Sequence, residues 1–129
     1  IKQMVSNALK VTGHADKIHD VVEGRAAAMS AQVQDARKLL RDSQIDEAVQ
    51  AIEAAVEAYP ENTGVLLQAT QINCMALRLK KEYNADMIER VHQYLVRLDQ
   101  LMPMNDRVGK MRRYFRETKS DLKVAAVSV

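Results

Sequence analysis

Ala48, Ile52, Ala55 and Pro60 recur as Val91, Leu95, Leu98 and Pro103, with intervals of four, three and five residues both times. Intervals of three and four set residues on one face of a helix, and the closing proline keeps that helix from running on. In the first copy, Ala48 and Ala55 are small enough to let another backbone approach, and Ile52 fills the space between them. A chain carrying this recurrence is built from repeated helix-turn-helix units. The first copy, Ser43 to Pro60, reads as the second helix of a hairpin, with Ile45, Val49, Val56 and Tyr59 completing its apolar stripe. Ser43 is the expected N-cap, with Asp46 in the capping-box position three residues on.

Composition agrees with an all-α chain. Of 129 residues only 4 are Gly and 2 Pro, both prolines close periodic runs, and good helix formers dominate. The length suits one domain able to bury roughly two-thirds of the surface its unfolded chain exposes. The single cysteine, Cys74, leaves no internal disulfide and reads as a packed thiol in a reducing compartment. No apolar run approaches the roughly 18 residues of a membrane span, and the N-terminus lacks a signal-peptide core, so a cytoplasmic location and no membrane partner are expected. The chain begins at Ile1 and reads as a piece of a longer protein. Net charge is +2, too small to argue for nucleic acid, but it is unevenly spread: Asp35–Glu61 holds seven acids against three bases, and Met104–Val129 seven bases against three acids.

Taken in order, Ile1 to Val11 reads as a short amphipathic helix ending near Gly13. A long pattern from Ala15 to Asp42 follows, interrupted at Gly24, and reads as one helix or two. Its last turns, from about Ala31, form the first helix of the hairpin. Asn62 or Thr63 caps the next helix, whose stripe is Val65, Leu66, Ala69, Ile72, Met75, Ala76 and Leu79. Asn84 caps another, with Met87, Ile88, Val91, Leu95, Leu98, Leu101 and Met102 inward. Asn105 or Asp106 starts the last, with Val108, Met111, Phe115 and Leu122 inward and Arg107, Lys110, Arg113 and Arg116 outside that stripe. Fraying is expected beyond Ser120.

The residues Ala36, Leu39, Ala48, Ile52, Ala55 and Pro60 match the small and large positions of the tetratricopeptide repeat, which this chain resembles over roughly Met29–Phe115. The second copy is less regular: Pro60 to Pro103 is 43 residues, about nine more than the family's period of about 34. Gln32 and Asp35 stand where that family usually has a bulky aromatic and Leu. The resemblance implies antiparallel helix hairpins stacked as a short right-handed superhelix of about five to six helices. On this reading 1–30 holds N-terminal amphipathic helices, 31–103 two hairpins, 104–122 a capping helix and 123–129 a tail. Separately, Ile1-Lys2-Gln3-Met4-Val5 with Leu9 is similar to the last helix of bacterial response-regulator receiver domains, some of which carry tetratricopeptide-like output domains.

Residue patterns for catalysis were sought without result: there is no Gly-rich phosphate loop and no Gly-x-Ser-x-Gly elbow. His14 and His19 are five apart, a poor helical spacing for a shared metal. Glu47, Glu53 and Glu57 read as a solvated acidic face, and Cys74 and His92 as unrelated side chains. No enzyme activity, metal or cofactor is expected. What the resemblance implies is a concave face for a protein or peptide partner, drawn from Val33, Arg37, Leu40 and Arg41, then Leu67, Gln68, Gln71, Cys74 and Met75, then Arg107, Lys110 and Tyr114. The family's carboxylate clamp keeps its charge only at Arg107, which argues against a C-terminal carboxylate ligand. Two rival readings stay open: a homodimer formed through the helices of 1–30, and a nucleic-acid binder using the basic last helix with Tyr114 as its one stacking residue.

Overall fold

The computed structural model describes residues 29–128, which hold five helices and no strand among them. The helices are α1 (residues 29–41), α2 (Ile45–Ala58), α3 (Thr63–Lys80), α4 (Ala85–Leu101) and α5 (Asp106–Ser128). The residues from Gln32 on belong to one compact unit, Gln32–Val129, separate from the unit Ile1–Ala31. The helices expected over Ile1–Val11, the break at Gly24 and the pair His14 and His19 lie outside the described residues.

The internal repeat is written into the backbone as well as the sequence. Ala48, Ile52 and Ala55 are fully buried, and so are Val91 and Leu98, with Leu95 at 4 % exposure. Each of these helices ends on a residue with nearly the same dihedral angles: Tyr59 at φ −134°, ψ 65° and Met102 at φ −135°, ψ 73°. The end residue's N–H reaches back to Ala55 in one case and Leu98 in the other. A proline follows each, and two residues later an asparagine caps the next helix: Asn62 Oδ1 accepts from the Val65 N–H, and Asn105 Oδ1 from those of Arg107 and Val108. Asn84 likewise caps α4 through the Met87 N–H. The valines three residues past Asn62 and Asn105 are both 1 % exposed.

The turn from α1 to α2 departs from expectation. Ser43 does not cap α2; Gln44 occupies that position without a side-chain bond. Ser43 instead sits at φ 63°, in the left-handed region. Its N–H bonds the Leu40 carbonyl at 3.1 Å while the Gln44 N–H bonds that of Leu39 at 2.9 Å. These two bonds close α1 in a Schellman motif, which satisfies carbonyls the helix end would otherwise leave bare. The serine is needed to end the first helix, so it cannot begin the second. Asp46, freed from any capping box, bonds the ammonium of Lys80 on α3.

Helix α3 packs against α2, α4 and α5, and ten of its eighteen residues are buried. A stripe of seven apolar positions underestimates this: Leu67, Thr70, Asn73, Cys74 and Leu77 are buried too, while Met75 (37 %) and Leu79 (54 %) are exposed. The two buried polar residues bond their own helix, Thr70 Oγ1 donating to the Leu66 carbonyl at 2.9 Å and Asn73 Nδ2 to that of Ala69 at 2.8 Å. Such bonds let a polar side chain enter a core without a partner on another element. The main core joins α3 to Met87, Ile88, Val91, Leu95 and Leu98 of α4 and to Val108, Phe115 and Leu122 of α5.

Helix α5 continues to Ser128 instead of fraying after Ser120, because Leu122 is buried at 6 % exposure and Asp121 pairs with Arg78. Its outward positions Lys110, Arg113, Glu117 and Ser120 are exposed. They stand 43 residues after Leu67, Thr70, Cys74 and Leu77, which α3 buries.

Two small substitutions test these backbone readings in opposite directions. Ser43→Gly relieves a left-handed residue of its Cβ, and Gly109→Ala adds a Cβ that meets nothing within 4 Å in a helix; each is expected to stabilise the fold by about 0.5–1 kcal/mol in urea unfolding. Ile52→Ala, which empties a fully buried site, is expected to cost about 2–5 kcal/mol.

Candidate functional site

Side chains from α1 and α3 enclose a groove of ≈ 130 Å³, lined by Arg37, Leu40 and Arg41 on one side and Gln68, Gln71, Ile72 and Met75 on the other. Its floor is apolar: Leu40 is 8 % exposed and Ile72 1 %, with Met75 open at 37 %. Helical spacing explains the wall on α1, since Arg37 and Arg41 are four apart and so stand one above the other. Both guanidinium groups are exposed and have no acidic partner among the described residues. On α3, Gln68 and Gln71 are three apart and half-buried, and Gln68 Oε1 receives no hydrogen bond from the described residues.

Of the positions expected on a partner-binding face, the structure gathers Arg37, Leu40, Arg41, Gln68, Gln71 and Met75 into this groove. It does not bring the others there. Leu67 and Cys74 point into the core, at 4 % and 0 % exposure. Val33 is half-buried outside the groove lining, and Arg107 and Lys110 are exposed on α5 away from it. Tyr114 is committed elsewhere, with the Arg78 guanidinium 5.0 Å from its ring centroid. Ile72 was legible only as a core residue, and it serves as core and groove floor at once.

Arg78 ties α3 to α5. Its Nε donates to Thr118 Oγ1 at 2.8 Å and its Nη1 to Asp121 Oδ2 at 3.0 Å. Thr118 is itself fully buried and donates to the Tyr114 carbonyl at 2.8 Å. Burial raises the Tyr114 hydroxyl pKa, with the neighbouring Arg78 charge pulling the other way. Burial also pushes the Cys74 thiol up to about 12, against the lowering effects of Arg78 and Thr118. A thiol held that far up is neutral and unreactive at ordinary pH. His92 lies exposed on α4 and lines a different groove with α5, so it is no base for Cys74.

Of the acidic face expected on α2, Glu47 and Glu57 are exposed and Glu53 pairs with Arg90 of α4. Asp46 of α2 pairs with Lys80 of α3, and Glu61, in the turn after α2, with Arg97 of α4. Glu53 also accepts from the Tyr94 hydroxyl at 3.2 Å, and burial together with that carboxylate holds the Tyr94 pKa above its usual value. Among the described residues no three His, Cys, Asp or Glu side chains stand close enough to share a metal ion. No helix among them is long and apolar enough to cross a membrane. No protein-family model, characterised protein or solved structure matches the chain.

The buried thiol sets a pH dependence with a definite sign. The unfolded chain loses the Cys74 proton near the ordinary thiol pKa, while the folded chain keeps it up to about 12. Stability is therefore full below the unfolded pKa and falls as pH rises above about 9, by at most about 1.4 kcal/mol per pH unit from this group. Urea midpoints measured from pH 8 to 10.5 should fall more steeply for the parent chain than for Cys74→Ala. At pH 8 a thiol reagent should label the parent only at its unfolding rate.

Proposed function

We propose that this chain is a non-catalytic protein–protein interaction module, a tetratricopeptide-like scaffold that captures a protein or peptide partner in the groove between α1 and α3. The observation that carries the reading is that groove itself: an apolar floor of Leu40, Ile72 and Met75 beneath two arginines with no acidic partner among the described residues. At ≈ 130 Å³ it suits one large apolar side chain, since a cavity of about 150 Å³ holds a benzene ring. Arg37 and Arg41 suit carboxylates beside that anchor.

The matched helix ends at Tyr59 and Met102, and the matched burial of Ala48, Ile52 and Ala55 with Val91, Leu95 and Leu98, support the tetratricopeptide-like reading. The likeness of Ile1-Lys2-Gln3-Met4-Val5 to a receiver-domain helix is the ground for reading the module as part of a larger bacterial signalling protein. The reduced, buried Cys74 agrees with a cytoplasmic setting. Nucleic-acid binding loses its one stacking residue, because Tyr114 lies against Arg78. Homodimerisation through 1–30 involves residues 1–28, outside those described.

The test is capture from nuclease-treated lysate of the source cells on the immobilised chain and on its Arg37→Glu/Arg41→Glu variant. A partner retained by the parent chain and weakened at least tenfold by the variant is expected, with far-UV circular dichroism unchanged; charge-assisted contacts of about 1.5–3 kcal/mol each set that scale. Equal retention by both would remove this groove from consideration. Recovery of the parent protein alone would favour self-association, and recovery only without nuclease would favour nucleic acid.

A further inference from the structure

The pairing of repeats at an offset of 43 residues identifies a second groove, whose counterpart inside the stack has a further helix along it. On α4, His92, Leu95, Val96 and Asp99 line one wall of a ≈ 240 Å³ groove. Arg112, Phe115, Arg116 and Lys119 of α5 line the other. Their counterparts one unit earlier are Val49, Ile52, Glu53 and Val56 on α2 and Ala69, Ile72, Asn73 and Ala76 on α3. Helix α4 borders that earlier position: Met87 and Arg90 line a groove there with Val49, Glu53 and Ala76, and Arg90 pairs with Glu53. The later position has no helix on it among the described residues.

Its walls have changed in a consistent direction. Where the inner groove offers the carboxylate of Glu53 to Arg90 of α4, the outer one offers Val96. Ala69, Asn73 and Ala76 become Arg112, Arg116 and Lys119, which with Lys123 fall within an arc of about 60° on α5. Arg112 is neutralised by Asp99. Arg116 has no acidic partner among the described residues, and the Lys119 ammonium lies over the Phe115 ring at 4.4 Å. Val96 remains 39 % exposed at the mouth. A solvated end cap accounts for the cations but gives no reason for an exposed valine between them.

We propose that the α4–α5 groove binds an acidic amphipathic helix of a partner protein, laid as α4 is laid against α2 and α3. The partner helix sets a large apolar residue against Val96 and Phe115. Acidic residues beside it meet Arg116 and Lys119, opposite in polarity to the Arg90–Glu53 pair of the inner position. This surface is distinct from the α1–α3 groove and does not depend on it. Helix-in-groove recognition supplies the apolar contact, and the uncompensated cations select acidic flanks over basic ones.

The test uses the full chain and a fluorescein-labelled, lactam-bridged helical peptide of about 16 residues, long enough to hold a helix once bridged. The peptide carries leucines at positions i, i+4, i+7 and i+11 and glutamates beside that stripe. Saturable binding by fluorescence anisotropy is expected. Arg116→Glu/Lys119→Glu should weaken it at least tenfold and Val96→Asp severalfold, with thermal midpoints unchanged because these side chains are at the surface. Arg37→Glu/Arg41→Glu should leave the affinity as it was, and the same stripe flanked by lysines should not bind. Absence of binding by the glutamate peptide, or binding indifferent to Arg116 and Lys119, overturns the proposal. So does loss, in the Arg116/Lys119 variant, of binding to single-stranded oligouridylate or anionic vesicles when the peptide itself does not bind.

Discussion

Everything in this molecule rests on the burial of α3. An amphipathic helix buries one stripe, whereas α3 touches α2, α4 and α5 and shares a groove with α1, so apolar residues occupy most of its circumference. That demand conflicts with the need for polar residues in an 18-residue helix, and Thr70 and Asn73 meet it by donating to the carbonyls four residues back, with Asn73 Oδ1 left without a partner among the described residues. The flanking helices then need only one buried face each. Both grooves arise from the same arrangement, because neighbouring helices set side by side against a common support leave a furrow wherever no further helix lies over them.

Ion pairs link neighbouring helices throughout. Asp46 and Glu53 of α2 meet Lys80 of α3 and Arg90 of α4, Glu61 in the turn after α2 meets Arg97 of α4, Asp99 of α4 meets Arg112 of α5, and Asp121 of α5 meets Arg78 of α3. Individually these exposed or half-exposed pairs contribute little, typically below about 1 kcal/mol. Their arrangement matters more for which helix lies beside which than for total stability. It also converts the uneven charge of the sequence into a local property: two of the four acids of α2, Asp46 and Glu53, are paired within the fold, while on α5 Arg107, Lys110, Arg113 and Arg116 have no acidic partner among the described residues.

Helix count, the inward faces of α2, α4 and α5, and the asparagine caps were legible because each depends on neighbours within four residues. Ala48, Ile52 and Ala55 follow from spacing alone, and Asn62, Asn84 and Asn105 from standing just ahead of an apolar period. The misreadings share a different cause. Ser43 has the residue type of an N-cap, but its role was decided by how α1 ends, a choice between two local motifs that composition does not settle. Leu67 and Cys74 were assigned to a binding face and Met75 and Leu79 to the core stripe because a central helix has no polar side from which to set its phase. Of the candidate face, Arg37, Arg41, Gln68 and Gln71 were readable as polar residues at helical spacing. The use of Tyr114 and Arg78 on each other was not, since they come from helices 36 residues apart.

The junctions Tyr59-Pro60-Glu61-Asn62 and Met102-Pro103-Met104-Asn105 have one further consequence. Each closes one helix and opens the next using only its own backbone and one asparagine side chain, so the joint does not depend on which unit follows. A gene encoding such a chain can grow or shrink by whole 43-residue segments cut at these points, with the reading of every joint preserved. Length in such a chain is then a matter of how many segments are copied, with no change in the joints themselves.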